Sequence, residues 1–76
     1  MIVIDEPQGG QLYKVEWFIQ EGNIEGYGIG TYSLYEDSEG HLYFDFKIDG
    51  ERTIYRFEME YIVSVQEYNF DKRGKL

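Results

Sequence analysis

At 76 residues, with 15 Asp or Glu against 7 Lys or Arg and a formal charge of −8, the chain has room for one domain and one small core. The absence of cysteine excludes disulfides and thiolate metal sites, and a single histidine, His41, argues against a His-based zinc site within one chain. Acidity on this scale disfavours direct contact with nucleic-acid phosphates or with an anionic membrane surface.

Alanine, the best helix former, is absent, whereas Tyr, Phe, Ile and Val are abundant, so the composition predicts an all-β fold. Residues 1–71 hold all 15 acids and only four cations (Lys14, Lys47, Arg52 and Arg56); the last five residues add Lys72, Arg73 and Lys75. The expected organisation is a single β domain over 1–71 and a basic C-terminal tail over 72–76. Chains below about 70–80 residues seldom draw more than a few kcal/mol from their core. One Trp, five Phe and eight Tyr are the compensation, each burying on the order of 150–250 Å². Homodimerisation is a further stabiliser open to a chain of this size. No apolar run approaches the roughly 18 residues of a spanning helix, and Met1–Glu6 lacks a basic leader region. A cytoplasmic protein is expected.

In chain order, Met1 to Asp5 reads as a short strand closed by Pro7 and Gly9-Gly10. From Gln11 to Gln20, Tyr13, Val15, Trp17 and Ile19 share one face, which predicts a half-buried strand with Trp17 as core anchor. The strand Ile24 to Tyr35 carries Gly26, Gly28 and Gly30 on one side, a pattern that permits sharp bending or close backbone approach. Phosphate-loop chemistry is disfavoured for these glycines, because no helix and no lysine follow them. After the polar turn Glu36 to Gly40, Leu42, Phe44, Phe46 and Ile48 alternate with Tyr43, Asp45, Lys47 and Asp49. Asp49-Gly50 predicts a hairpin with two open registers. A two-residue turn pairs Lys47 with Arg52 and Phe44 with Tyr55; a three-residue turn pairs Lys47 with Glu51 and Phe44 with Ile54.

A helical turn around Glu58 to Tyr61 is expected to lead into a last strand from Ile62 to Tyr68. This segment, with its Ile62-Val63-Ser64-Val65-Gln66 run, resembles the closing third of SH3-like and Sm-like small barrels. The resemblance implies a five- to six-stranded antiparallel meander coiled into a small SH3-like barrel, with a short 3-10 turn before the last strand.

Catalytic chemistry is hard to place. The serines are Ser33, Ser38 and Ser64; Ser38 lies near His41, but on an expected hairpin tip without a pocket. Glu36, Asp37 and Glu39 gather oxygens but lack the calcium-loop spacing, so a solvated turn is the better reading. No cofactor and no enzymatic activity are expected.

What remains is recognition. Acids steer association toward a basic surface and tyrosines supply contact energy. The candidate contact residues are those expected to face away from the core: Tyr32, Tyr35, Tyr43 and Asp45, with Glu36, Asp37 and Glu39 at the tip. The expected partner is a basic protein surface, such as that of a nucleic-acid-processing enzyme. In size and charge the chain looks like small phage or mobile-element inhibitors, the anti-restriction and anti-CRISPR proteins that mimic nucleic acid. The alternatives are an SH3-like adaptor for an extended peptide, or a self-assembling structural subunit whose acids only keep it soluble.

Overall fold

The computed structural model describes residues 4–69. It contains β1 (Leu12–Ile19), β2 (Ile24–Glu36), β3 (Leu42–Ile48), β4 (Ile54–Glu58), a 3-10 turn (Met59–Tyr61) and β5 (Ile62–Tyr68). All pairings are antiparallel, and the strand order is β4-β3-β2-β1-β5. The meander β1 to β4 and the 3-10 turn before the last strand are as the sequence predicts.

The first half of β2 pairs with β1 and the second half with β3; Gly30 alone pairs with both, facing Tyr13 on one side and Ile48 on the other. A Cβ at Gly30 would fall on the Lys47 carbonyl oxygen and lie 2.8 Å from the Ile48 Cα. The glycine therefore lets the β3 backbone cross close against β2 where the pairing of β2 passes from β1 to β3. Three residues, Met59–Tyr61, carry the chain from the β4 margin of the sheet to the β5 margin. A 3-10 turn rises only about 2 Å per residue, so the two margins approach one another there and the sheet coils.

The core is aromatic. Tyr13, Val15, Tyr32, Phe44, Phe46 and Ile62 are buried, with Trp17, Leu34, Ile48, Phe57 and Met59 packed against them. Tyr32 stacks on Phe44 with ring centroids 4.6 Å apart and meets Tyr13 edge-on at 4.8 Å. Trp17 lies 6.0 Å from Phe46 and 5.0 Å from Phe57 on β4, a contact across the coil between strands that do not pair. The indole covers Gly26, as Phe46 and Ile48 cover Gly28. The glycine row of β2 is thus the inner face of the strand.

Three sequence expectations are corrected. Ile4 and Asp5 are not in a strand; Met1 to Val3 lie outside the described residues. Residues 4–8 are instead a strap fastened by core tyrosines: the Tyr32 hydroxyl donates to the Asp5 carbonyl at 2.6 Å, and the Gln8 N–H donates to the Tyr13 hydroxyl at 3.0 Å. Tyr32 consequently faces inward, only 8% exposed, because alternation carries the inner face from Gly30 to Tyr32.

The Asp49-Gly50 hairpin forms, but in neither register. Lys47 pairs with Ile54, Asp45 with Arg56 and Phe44 with Phe57. The Glu51 N–H donates to the Ile48 carbonyl at 2.9 Å across Asp49 and a left-handed Gly50 (φ 90°). A β-turn closed there still leaves Arg52 and Thr53 to be spanned before β4 begins. The tail expected over 72–76 lies outside the described residues.

Candidate functional site

On the second half of the sheet, odd-numbered residues of β2 and β3 point outward. Ladder pairing sets Tyr35 opposite Tyr43, Ser33 opposite Asp45, and on the next strand Asp45 opposite Arg56 and Tyr43 opposite Glu58. Tyr35, 43% exposed, stacks with half-buried Tyr43 at 6.3 Å. Arg56 lies over both rings, its guanidinium carbon 4.3 Å from the Tyr35 centroid and 5.4 Å from that of Tyr43. The same guanidinium donates to both oxygens of Asp45, at 2.7 and 2.8 Å. Flat guanidinium, carboxylate and paired rings match in geometry, and such a bidentate fork fixes orientation as well as charge. The bond to Asp45 is the main cause raising the Arg56 pKa above its usual value.

The β2–β3 turn is built around Asp37. Its carboxylate accepts the N–H groups of Glu39 and His41, each at 2.9 Å, while its own N–H donates to the His41 carbonyl. The N–H of His41 is the first cause lowering the Asp37 pKa, with that of Glu39 contributing as well. Gly40 closes the turn at φ 85°. His41 then reaches across to β4, its Nε2 2.7 Å from Glu58 Oε1, with its ring 4.6 Å from that of Tyr43. The bond to Glu58 raises the His41 pKa, and the charges of Glu58, Asp37 and Glu60 add to it. The turn therefore collects Glu36, Asp37 and Glu39 beside Glu58 and Glu60 at one end of the sheet, next to the tyrosine pair.

Of the residues expected to make contact, the structure brings Tyr35, Tyr43 and Asp45 together on this face and places Glu36, Asp37 and Glu39 on the adjoining turn. Tyr32 is not part of it; it belongs to the core. Asp45 is engaged by Arg56, with its side chain 13% exposed, so it anchors the tyrosine tier rather than offering a free carboxylate. Arg56, His41 and Glu58 were not anticipated. The signal for Arg56 and Glu58 is their parity with Asp45 and Tyr43, readable once the hairpin register is known.

Neither a family model, nor a curated protein, nor a solved structure matches the chain. Its own geometry is what bears on function. Among the described residues no three His, Asp or Glu side chains are arranged to hold a metal ion, and no helix is long and apolar enough to cross a membrane. The face offers two phenol rims, a held guanidinium and a dense rim of carboxylates, which suits reversible contact with a cationic surface.

Proposed function

We propose that the domain is a non-enzymatic acidic protein-binding module that engages a basic, nucleic-acid-binding surface of a partner protein and inhibits it, as anti-restriction and anti-CRISPR proteins do. The observation that carries this reading is the joint placement of Glu36, Asp37, Glu39, Glu58 and Glu60 with the Tyr35–Tyr43 pair braced by Arg56. The carboxylates draw a cationic partner, and the tyrosines, held by Arg56 before any partner arrives, lose little freedom on binding. Carboxylates also stand elsewhere, at Asp5, Glu6 and Glu67 and at Asp49 and Glu51. Recognition by one dense end therefore fits better than imitation of a long phosphate ladder.

The test is capture from a bacterial lysate at low salt and at about 0.5 M salt, where exposed charges are screened within a few ångströms. Basic nucleic-acid enzymes held at low salt, released at high salt and lost with Tyr43→Ala are the expected result. Salt-insensitive capture, or capture unchanged by Tyr43→Ala, overturns the reading. One feature favours self-assembly as a second reading. Among the described residues the margin strand β4 pairs only with β3, and its Ile54 and Tyr55 are exposed. A dimeric elution volume that Ile54→Lys makes monomeric would select that reading.

A further inference from the structure

The other half of the sheet carries a separate groove of about 490 Å³ on its outer face, over the pairing of β1 with the start of β2. Register makes it a checkerboard. Glu16 stands opposite Tyr27 and Phe18 opposite Glu25, so the two carboxylates lie on one diagonal and the two rings on the other. Diagonal neighbours of this kind are about 7–8 Å apart. Val63 closes the third side. A bulge between Glu16 and Trp17 shifts β5 from the pairing Glu16–Ser64 to Trp17–Ile62, and Val63, the extra residue, is 50% exposed. Trp17 and Gly26 also line the groove.

We infer that this groove is a second binding site, for an arginine side chain on an extended segment of a partner protein. Three observations select that occupant. Among the described residues neither Glu16 nor Glu25 has an ion-pair partner, and Glu16 is oriented only by the Ser64 hydroxyl, which donates to one of its oxygens at 2.7 Å. Tyr27, 65% exposed, already accepts a cation: Lys14 Nζ stands 5.2 Å from its ring centroid. The same protein shows how tyrosines and a carboxylate hold a guanidinium, since Arg56 forks onto Asp45 while stacking over Tyr35. Guanidinium stacks on aromatic faces and pairs with carboxylates in its own plane, a combination that ammonium lacks. A groove of this size takes the side chain together with its neighbours in an extended segment.

The experiment is amide NMR on the whole chain, titrated with a short arginine–glycine peptide and with its glutamine–glycine counterpart. Saturable shifts at Phe18, Glu25, Tyr27 and Val63 are expected from the arginine peptide alone, weakened by salt. Glu25→Gln combined with Tyr27→Ala lowers affinity about tenfold. Both side chains are exposed, so retained amide dispersion checks that the fold persists. Lys14→Gln, which removes a competing charge, tightens binding, and Tyr43→Ala on the other half leaves it unchanged. This last pair separates failure of the groove from failure of the tyrosine tier. An equal response to the glutamine peptide, shifts confined to Tyr35, Asp37 and Tyr43, or no saturable shift overturns the inference. So does peptide-free broadening in the groove that grows with protein concentration, which would make a second copy the occupant.

Discussion

Gly30 and Tyr32 occupy successive inward positions of one strand, yet they stabilise the fold by opposite means. Gly30 contributes by what it lacks, since Lys47 and Ile48 pass where a side chain would stand. Tyr32 contributes a stacked ring and a hydroxyl that ties the N-terminal strap to the core. Burial is also the first cause of its raised pKa, with Tyr13, Asp5 and Glu6 adding to it. Gly30→Ala is therefore expected to lower the unfolding free energy in urea by more than the 1–3 kcal/mol or so typical of overpacking, because backbone rather than a flexible side chain must move. Tyr32→Phe keeps the ring and should cost about 1 kcal/mol, the net worth of one hydrogen bond. A reversed order of the two variants in urea denaturation would contradict the Gly30 crossing. Tyr32 also shows why sequence reading failed locally. Three side-chain-free positions precede it, so the inner face of β2 carries no apolar pattern, while Tyr27 and Ile29 give the outer face the apolar alternation that ordinarily marks an inner one.

At the scale of elements, strands and turns were legible where alternation or turn chemistry is strong. Leu42 to Ile48, the 3-10 turn and the final strand stand where the sequence places them. Register was not legible, because Asp49-Gly50 marks a turn without saying where pairing resumes, and Arg52 and Thr53 are unpaired residues that no local pattern reveals. That single gap hid the Asp45–Arg56 fork and the Tyr43–Glu58 pairing, hence half of the candidate site. The tip that joins β2, β3 and β4 has a pH signature. The His41–Glu58 bond raises the His41 pKa, so its contribution is complete below the usual 6.5 and is lost as pH rises through the raised value. Asp37 is lowered, so its contribution is present above 3.8 and is lost as pH falls through the lowered value. Both act together between 3.8 and 6.5. The loss in melting temperature from His41→Gln is expected to be largest in that window and to fade under alkaline conditions. An equal loss at mildly acidic and alkaline pH would mean that the neutral ring does as much as the charged one.

For the molecule as a whole, a charge of −8 over 76 residues makes self-repulsion a standing opponent of compaction. The described ion pairs, Arg56 with Asp45 and His41 with Glu58, relieve it at one end only. Moderate salt at neutral pH is expected to raise the melting temperature of the free domain while weakening its hold on a cationic partner. A fall in melting temperature on adding salt would show that these two ion pairs outweigh the repulsion. The position of β5 also sets a schedule for the growing chain. Its bonds to β1 reach across the sequence: Ser64 and Glu16 are 48 positions apart, and just beyond the two strands Gln11 donates to Asn69 across 58. Such distant pairings form late. During synthesis β1 therefore emerges before β5 and waits with one margin unpaired until β5 has followed it. Completion of the sheet waits on β5, and a ribosome that stops before Ile62 releases a chain with a bare sheet edge.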